Sequence, residues 1–167
     1  MSQFLVFLGV IVLVASLNAP LQAQEAGGEL EEKEPRHHPA VFLGATTGEH
    51  ETNPSLGLEY EYRLSERWGI GLIFEFTFEH EEREFLTGIP VKYHMGPFAL
   101  LGTVIVERSR ERETDEGDSD RTVSPGVRVG AEYGFEVGEL ELAPNLNLDF
   151  TEDTTKLVWG LIISIGL

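Results

Sequence analysis

Charged residues recur at every second position in several stretches of the chain and are its main candidates for chemistry. In 55–64, Glu59, Glu61 and Arg63 alternate with leucines and tyrosines. Because successive side chains of a β-strand point to opposite faces, charges with this spacing share one face. If that face is enclosed, its charges must pair, and Arg63, Lys92 and Arg128 are the natural centres. The full set is Glu59, Glu61, Arg63, Glu75, Lys92, His94, Arg128, Glu132, Glu141 and Asp149, with Asn145 and Asn147.

Known catalytic motifs are missing from this set. The sequence has no G-x-S-x-G elbow and no H-E-x-x-H motif, and none of its five histidines has a serine two residues on. An acidic chain supplies paired carboxylates by chance, so they do not identify an acid and a base. We therefore predict no enzymatic activity and no cofactor. The lipid-modifying alternative would need a histidine and a serine that converge on one rim.

One loop has the composition of a weak calcium candidate. The segment ETDEGDSD (113–120) places Asp115, Asp118 and Asp120 around a glycine. Oxygen-rich loops of this kind can bind Ca²⁺, but this one lacks the register and the closing glutamate of an EF-hand. The interpretation we favour is a solvated loop that repels neighbouring chains, and we predict no metal site.

Composition excludes several functional classes. Among 167 residues, Asp and Glu number 29 against 12 Lys and Arg, which gives a net charge of −17. That excess argues against nucleic-acid binding, because phosphates need cationic partners. The chain has no cysteine, so neither disulfides nor thiolate metal sites can form.

The first part of the chain differs from the rest. Residues 4–17 form an uncharged apolar run, too short to span a bilayer comfortably, and Ala23 follows at a plausible cleavage position. We predict a signal peptide over 1–23, with an uncleaved membrane anchor as the alternative. Residues 24–38 are acidic and are expected to form a flexible periplasmic leader.

From residue 39 onward a period of two replaces any helical period. The pattern predicts eight strands, and several of them have an apolar face that carries no charge. Strands one and five are ambiguous because both of their faces are apolar or small. The predicted ranges are 40–47, 55–64, 67–79, 84–95, 97–107, 122–137, 139–150 and 156–167.

Long and short connections alternate between these strands, as in bacterial outer-membrane barrels. Aromatic residues also fall near both strand ends, where two girdles would meet the two membrane interfaces. Tyr62, Trp68, Tyr93 and Phe98 lie beside short turns. Phe76, Phe78, Phe85, Phe150 and Trp159 lie near long loops. We therefore expect the apolar faces to meet lipid and the charged faces to line a closed, all-β, eight-stranded antiparallel up-and-down transmembrane barrel.

On these hairpins, girdles and the apolar final strand, residues 39–167 resemble the small eight-stranded outer-membrane β-barrel family typified by the OmpA membrane domain and OmpX. Family members usually end in Phe or Trp, whereas this chain ends in Leu167. Pro90, Pro125 and Pro144 should lie at bulges or strand ends, because proline lacks the N–H that a ladder needs.

These observations lead to an expected outer-membrane location in a Gram-negative-type bacterium, with both termini periplasmic. The predicted role is structural, adhesive or surface-interacting, with a lumen plugged by charges. The partners would be membrane lipid and a surface partner at the acidic loops, and the chain would be a monomer. Two alternatives remain: a porin-like protein with a narrow pore, and a soluble periplasmic lipocalin-like binder of apolar ligands.

Overall fold

The computed structural model describes residues 36–48, 51–78, 82–111, 121–152 and 154–166. No helix in these ranges is long and apolar enough to cross a membrane. The strands are β1 (His37–Thr47), β2 (Thr52–Arg63), β3 (Trp68–Phe78), β4 (Glu82–Met95), β5 (Phe98–Glu111), β6 (Arg121–Tyr133), β7 (Phe135–Val137), β8 (Leu140–Thr151) and β9 (Thr155–Ile165). The predicted signal peptide, leader residues 24–35, the calcium candidates Asp115, Asp118 and Asp120, and Leu167 lie outside the described residues.

The strands form one closed antiparallel barrel. Each of β1 to β5 pairs with the next strand in the chain, β6 pairs with β8, and β8 pairs with β9. The pairing of β1 with β9, from Ala40 opposite Ser164 to Thr47 opposite Leu157, closes the ring. The ring therefore has eight members, and the short β7 continues the line of β6 along β8. The predicted fold class is confirmed.

Several predicted boundaries were wrong by a few residues. β1 begins at His37, so His37 and His38 belong to the barrel wall and not to the leader. β5 continues to Glu111 and β6 begins at Arg121, which shortens the predicted loop 108–121. The predicted strand 122–137 is interrupted at Gly134. We call the end with turns 64–67, 96–97 and 138–139 the short-turn end, and the opposite end the long-loop end.

Prolines explain where pairing stops. Pro125 lies inside β6 and pairs in register with Val106 of β5, so the expected bulge or strand end is wrong there; it lies one residue before the β6–β8 ladder, which begins at Gly126 opposite Thr151. Pro144 lies inside β8 opposite Leu161 of β9, so the expected bulge or strand end is wrong there as well. On its other side it faces the interruption between β6 and β7, where it has no N–H to donate. Pro90 differs from the prediction: the β3–β4 register is the same on both sides of it, so the ladder loses two pairings without a bulge.

The apolar faces lie outside and the charged faces inside. In β3, Leu72 and Phe76 are nearly half exposed, whereas Glu75 between them is only 5% exposed. The same alternation holds along β2 and β8. A large apolar exterior is stable only in an apolar surrounding such as lipid. A lipocalin-like binder would need the opposite arrangement, with the aromatic faces around an internal cavity.

The ambiguous first and fifth strands contribute apolar layers to the interior. Phe42 is buried with Ala143, Val158 and Ile162, and a second cluster contains Ile73, Leu86 and Ile105. The Phe42 ring fits because glycines face it. A Cβ atom at Gly44 or at Gly160 would lie 2.5 Å from that ring.

Candidate functional site

The centre of the barrel holds an arginine shared by two carboxylates. Arg128 of β6 donates from Nε and Nη2 to the two oxygens of Asp149 on β8, at 2.6 and 2.7 Å. Its Nη1 donates to Oε2 of Glu75 on β3 at 2.8 Å. All three residues are at most 5% exposed. The bidentate geometry is the strong form of an arginine–carboxylate pair.

Hydroxyl groups extend this central cluster toward the long-loop end. Thr46 Oγ1 lies 2.8 Å from Ser55 Oγ, which lies 3.1 Å from Thr77 Oγ1. Thr46 also donates to Oε1 of Glu75 at 3.4 Å. The carboxylate of Glu75 therefore has partners on both of its oxygens, as a buried charge requires.

A second cluster surrounds Lys92 near the short-turn end. Its Nζ donates to Glu132 at 2.9 Å and lies 3.5 Å from Glu59 and 3.7 Å from Glu61. Glu61 also contacts His94, with Nε2 and Oε1 2.7 Å apart. The same carboxylate oxygen lies 2.9 Å from Nε of Arg63.

A small cavity of about 50 Å³ lies within this second cluster. Lys92, Glu59, Glu132 and His94 line it, together with Glu141. Glu141 also accepts a hydrogen bond from the Ser164 hydroxyl at 3.4 Å. Such a volume is enough for one or two water molecules but not for an organic ligand.

A third cluster, near the long-loop end, escaped sequence analysis. Lys156 of β9 donates to Glu84 of β4, and it also donates to Glu107 of β5 at 3.0 Å. Glu84 and Lys156 each stand at the first position of a predicted strand, where alternation is hardest to recognise. Glu107 ends the ambiguous fifth strand, so its face could not be assigned from the sequence. Ile105 and Glu107 are two residues apart and therefore share one face of the strand. That shared face was the sequence signal that could have placed Glu107 inside the barrel.

Across the three clusters, each buried lysine or arginine contacts at least two carboxylates. Within the described residues, no group of three or more histidine, aspartate or glutamate side chains has the arrangement of a metal site. Asn145 and Asn147 also face inward, and their Oδ1 atoms accept no hydrogen bond from the described protein atoms. The geometry supports cross-linking of the wall.

The aromatic residues lie in two bands on the exterior. At the short-turn end, the ring of Trp68 lies 4.9 Å from that of Tyr93, and the ring of Phe98 lies 4.8 Å from that of Tyr133. Tyr62 lies there as well, with its ring 5.2 Å from the His37 ring.

At the long-loop end, the rings of Phe76 and Phe85 are 4.7 Å apart. Phe78 lies two residues further along β3 and is exposed. Trp159 donates from Nε1 to the Thr47 hydroxyl at 3.4 Å. Phe150 pairs in register with Thr155 near the same end.

Comparisons with known proteins identify the architecture. No protein-family model and no curated protein matches the sequence. Three solved structures align well: the N-terminal β-barrel domain of Pseudomonas aeruginosa OprF, the attachment invasion locus protein Ail of Yersinia pestis, and Neisserial surface protein A.

Their sequence identities to this chain are 12%, 13% and 9%, and their TM-scores are 0.62, 0.55 and 0.57. The alignments cover 81%, 80% and 78% of this chain and 100%, 98% and 96% of those structures. At such identities the likeness concerns the fold. The chain has the fold of the small eight-stranded outer-membrane β-barrels.

Proposed function

We propose that this chain is an outer-membrane β-barrel protein of a Gram-negative-type bacterium, with a structural or surface-interaction role and a plugged lumen. The location is supported by the apolar exterior with its two aromatic bands, which suit the two interfaces of a bilayer. An even strand number brings the first and last strands to the same end of the barrel, which supports the proposal that both lie on the periplasmic side with the long loops outside.

The plug is supported by one observation above all: the ion pairs cross the lumen. In an eight-membered ring β8 lies opposite β3, and Arg128 joins Asp149 of β8 to Glu75 of β3. β9 lies opposite β4, and Lys156 of β9 contacts Glu84 of β4. Side chains that meet from opposite walls leave no continuous water column at their level.

Apolar layers support the same proposal. The Phe42 cluster and the Ile73 cluster fill the interior between the charged groups. Eight strands enclose an interior only wide enough for side chains, in contrast to the wide channel of large porins. A narrow ion path remains the alternative, favoured by the cavity beside Lys92.

A surface-interaction role is proposed from the kinds of protein that share the fold. One of the aligned structures is described as an attachment invasion locus protein and another as a surface protein. In this chain the loop over 112–120 is strongly acidic and would face outward. A partner that recognises it would therefore carry cationic groups.

We propose that the barrel acts as a monomer.

The decisive experiment has two parts. The chain, refolded into phospholipid vesicles, should migrate differently on a cold denaturing gel before and after boiling, because a closed barrel resists detergent. A soluble protein with one mobility would overturn the membrane assignment. In planar bilayers we expect no steady conductance. Stable single-channel steps would overturn the plug and support the narrow pore.

A further inference from the structure

Three buried side-chain oxygen atoms on one inner wall of the barrel accept no hydrogen bond from the described protein atoms. They are Oε1 of Glu132 on β6 and Oδ1 of Asn145 and Asn147 on β8, and each residue is at most 8% exposed. Asn145 pairs in register with Glu132, and Asn147 pairs with Gly130. The three side chains are therefore neighbours across one pair of strands. We call these three residues the oxygen site.

Glycines make room for this arrangement. Gly130 lies two residues before Glu132 and shares the inner face of β6 with it. A Cβ atom at Gly130 would collide with Oδ1 of Asn147, so this amide oxygen lies directly over the glycine. In the same way, a Cβ atom at Gly134 would collide with Oε1 of Glu141. Oxygen atoms from β8 therefore occupy the space on both sides of Glu132.

One cation, Lys92, contacts the oxygen site. Its Nζ donates to Oε2 of Glu132 and lies 2.9 Å from Oε1, where no hydrogen bond forms. The same ammonium group lies 3.5 Å from Glu59 and 3.7 Å from Glu61. Lys92 therefore shares a single positive charge among three carboxylates.

The cavity of about 50 Å³ adjoins the oxygen site, because Glu132 lines it. It extends to turn 96–97 at the short-turn end, which gives a route of entry. The acidic and basic residues of its wall are Glu59, Glu61, Glu132, Glu141, Lys92, Arg63, His38 and His94. Four of them are carboxylates, and only the lysine and the arginine carry a permanent positive charge. With neutral histidines, this enclosed wall has a negative excess that favours a further cation.

We propose that the oxygen site binds a monovalent alkali cation that enters from the short-turn end. Such an ion needs only acceptor oxygens, whereas a water molecule also presents lone pairs that need a donor. Divalent ions fit less well, because Ca²⁺ takes about six to eight oxygen ligands and Mg²⁺ requires a near-ideal octahedron. The described residues contain no group of three acidic or histidine side chains arranged for a metal. This inference rests on the plug of the proposed function, since a conducting lumen would not retain the ion.

The test follows binding of sodium to the full chain in detergent micelles by sodium NMR relaxation. Potassium should displace the bound sodium, whereas N-methylglucamine, a bulky organic cation, should not do so at the same ionic strength. The variant N147L keeps the side-chain volume but removes one oxygen, and it should weaken sodium binding about tenfold.

The matched control is N53L, which makes the same substitution at a buried asparagine of β2 near the long-loop end. It should change the affinity less than about twofold. Exposed carboxylates attract sodium weakly in every variant, so the difference between N147L and N53L isolates the oxygen site. A second variant, E132Q, keeps the oxygen but removes the charge and should also weaken binding about tenfold.

Three results would overturn the inference: equal sodium binding by the unaltered chain and both oxygen-site variants, an equal loss in N53L, or displacement by N-methylglucamine as ready as that by potassium. Each variant is first inserted into vesicles and checked for a mobility shift on boiling. An inserted barrel that neither conducts nor binds sodium contradicts this inference alone. A steady sodium current in planar bilayers contradicts the plug of the proposed function.

Discussion

Removal of Arg128 is the sharpest test of the internal network. The substitution Arg128→Met keeps a long side chain but removes the charge and three hydrogen bonds. It leaves the carboxylates of Glu75 and Asp149, which are 5% and 2% exposed, facing each other without a cation. A buried charge without a partner strongly destabilises the fold, whereas a complete buried ion pair changes the free energy of unfolding little.

The expected magnitude follows from that asymmetry. Breaking a buried ion pair by removing one partner costs about 3–5 kcal/mol, so R128M should lose that much free energy of unfolding. The triple variant E75M/R128M/D149L removes all three charges and replaces them with apolar groups of similar volume. It should lie within about 2 kcal/mol of the unaltered chain, because no orphaned charge remains.

The assay is equilibrium urea unfolding in phospholipid vesicles, followed by tryptophan fluorescence. Both tryptophans, Trp68 and Trp159, lie on the exterior, so the substitutions do not alter their immediate surroundings. The exposed Arg67 supplies the control, and R67M should change stability by less than about 0.5 kcal/mol. The reasoning fails if R128M stays within about 1 kcal/mol of the unaltered chain, or if the triple variant is as unstable as R128M.

Three further substitutions test the walls of the barrel in the same unfolding assay. Gly160→Val should lower the free energy of unfolding by about 1–3 kcal/mol through overpacking, whereas Gly102→Val, at a position with open space, should change it little. Equal effects of the two variants would contradict the close packing at Gly160. Leu72→Arg, at mid-strand on the exterior, should lower the free energy of unfolding by about 2–4 kcal/mol, and Leu64→Arg at the short-turn end by about 0–1 kcal/mol. Equal losses in the two variants would argue against lipid contact at Leu72. Lys156→Met should lower the free energy of unfolding by about 1–3 kcal/mol, while Lys156→Arg should retain most of the stability. An unchanged stability of the methionine variant would show that this cluster does not stabilise the barrel.

Local alternation made most of the fold predictable. In β2, β3 and β8 every second residue is apolar, and those strands have the faces that the sequence predicts. The period of two is a property of neighbouring residues, so no knowledge of pairing is needed to recognise it. The strand number and the closed antiparallel order followed from the count of such stretches and their short connections.

The first and fifth strands show where this reasoning stops. Phe42 of β1 and Ile105 of β5 are apolar, yet both are buried inside the barrel. Most other buried residues there are polar or charged. Alternation cannot separate an apolar residue that meets lipid from one that packs inside. Phe42 is accommodated because Gly44 and Gly160 leave room for its ring, and Gly160 lies far along the chain.

The sequence by itself determined the strands, the polarity of their faces and the acidic excess, because each depends on composition or on near neighbours. Only the tertiary structure decided which charges meet. Lys156 reaches Glu84 because closure of the ring places β9 opposite β4, although 72 residues separate them in the chain. Arg128 likewise contacts Glu75, 53 residues earlier in the chain, because the closed ring brings side chains from different walls together in the lumen.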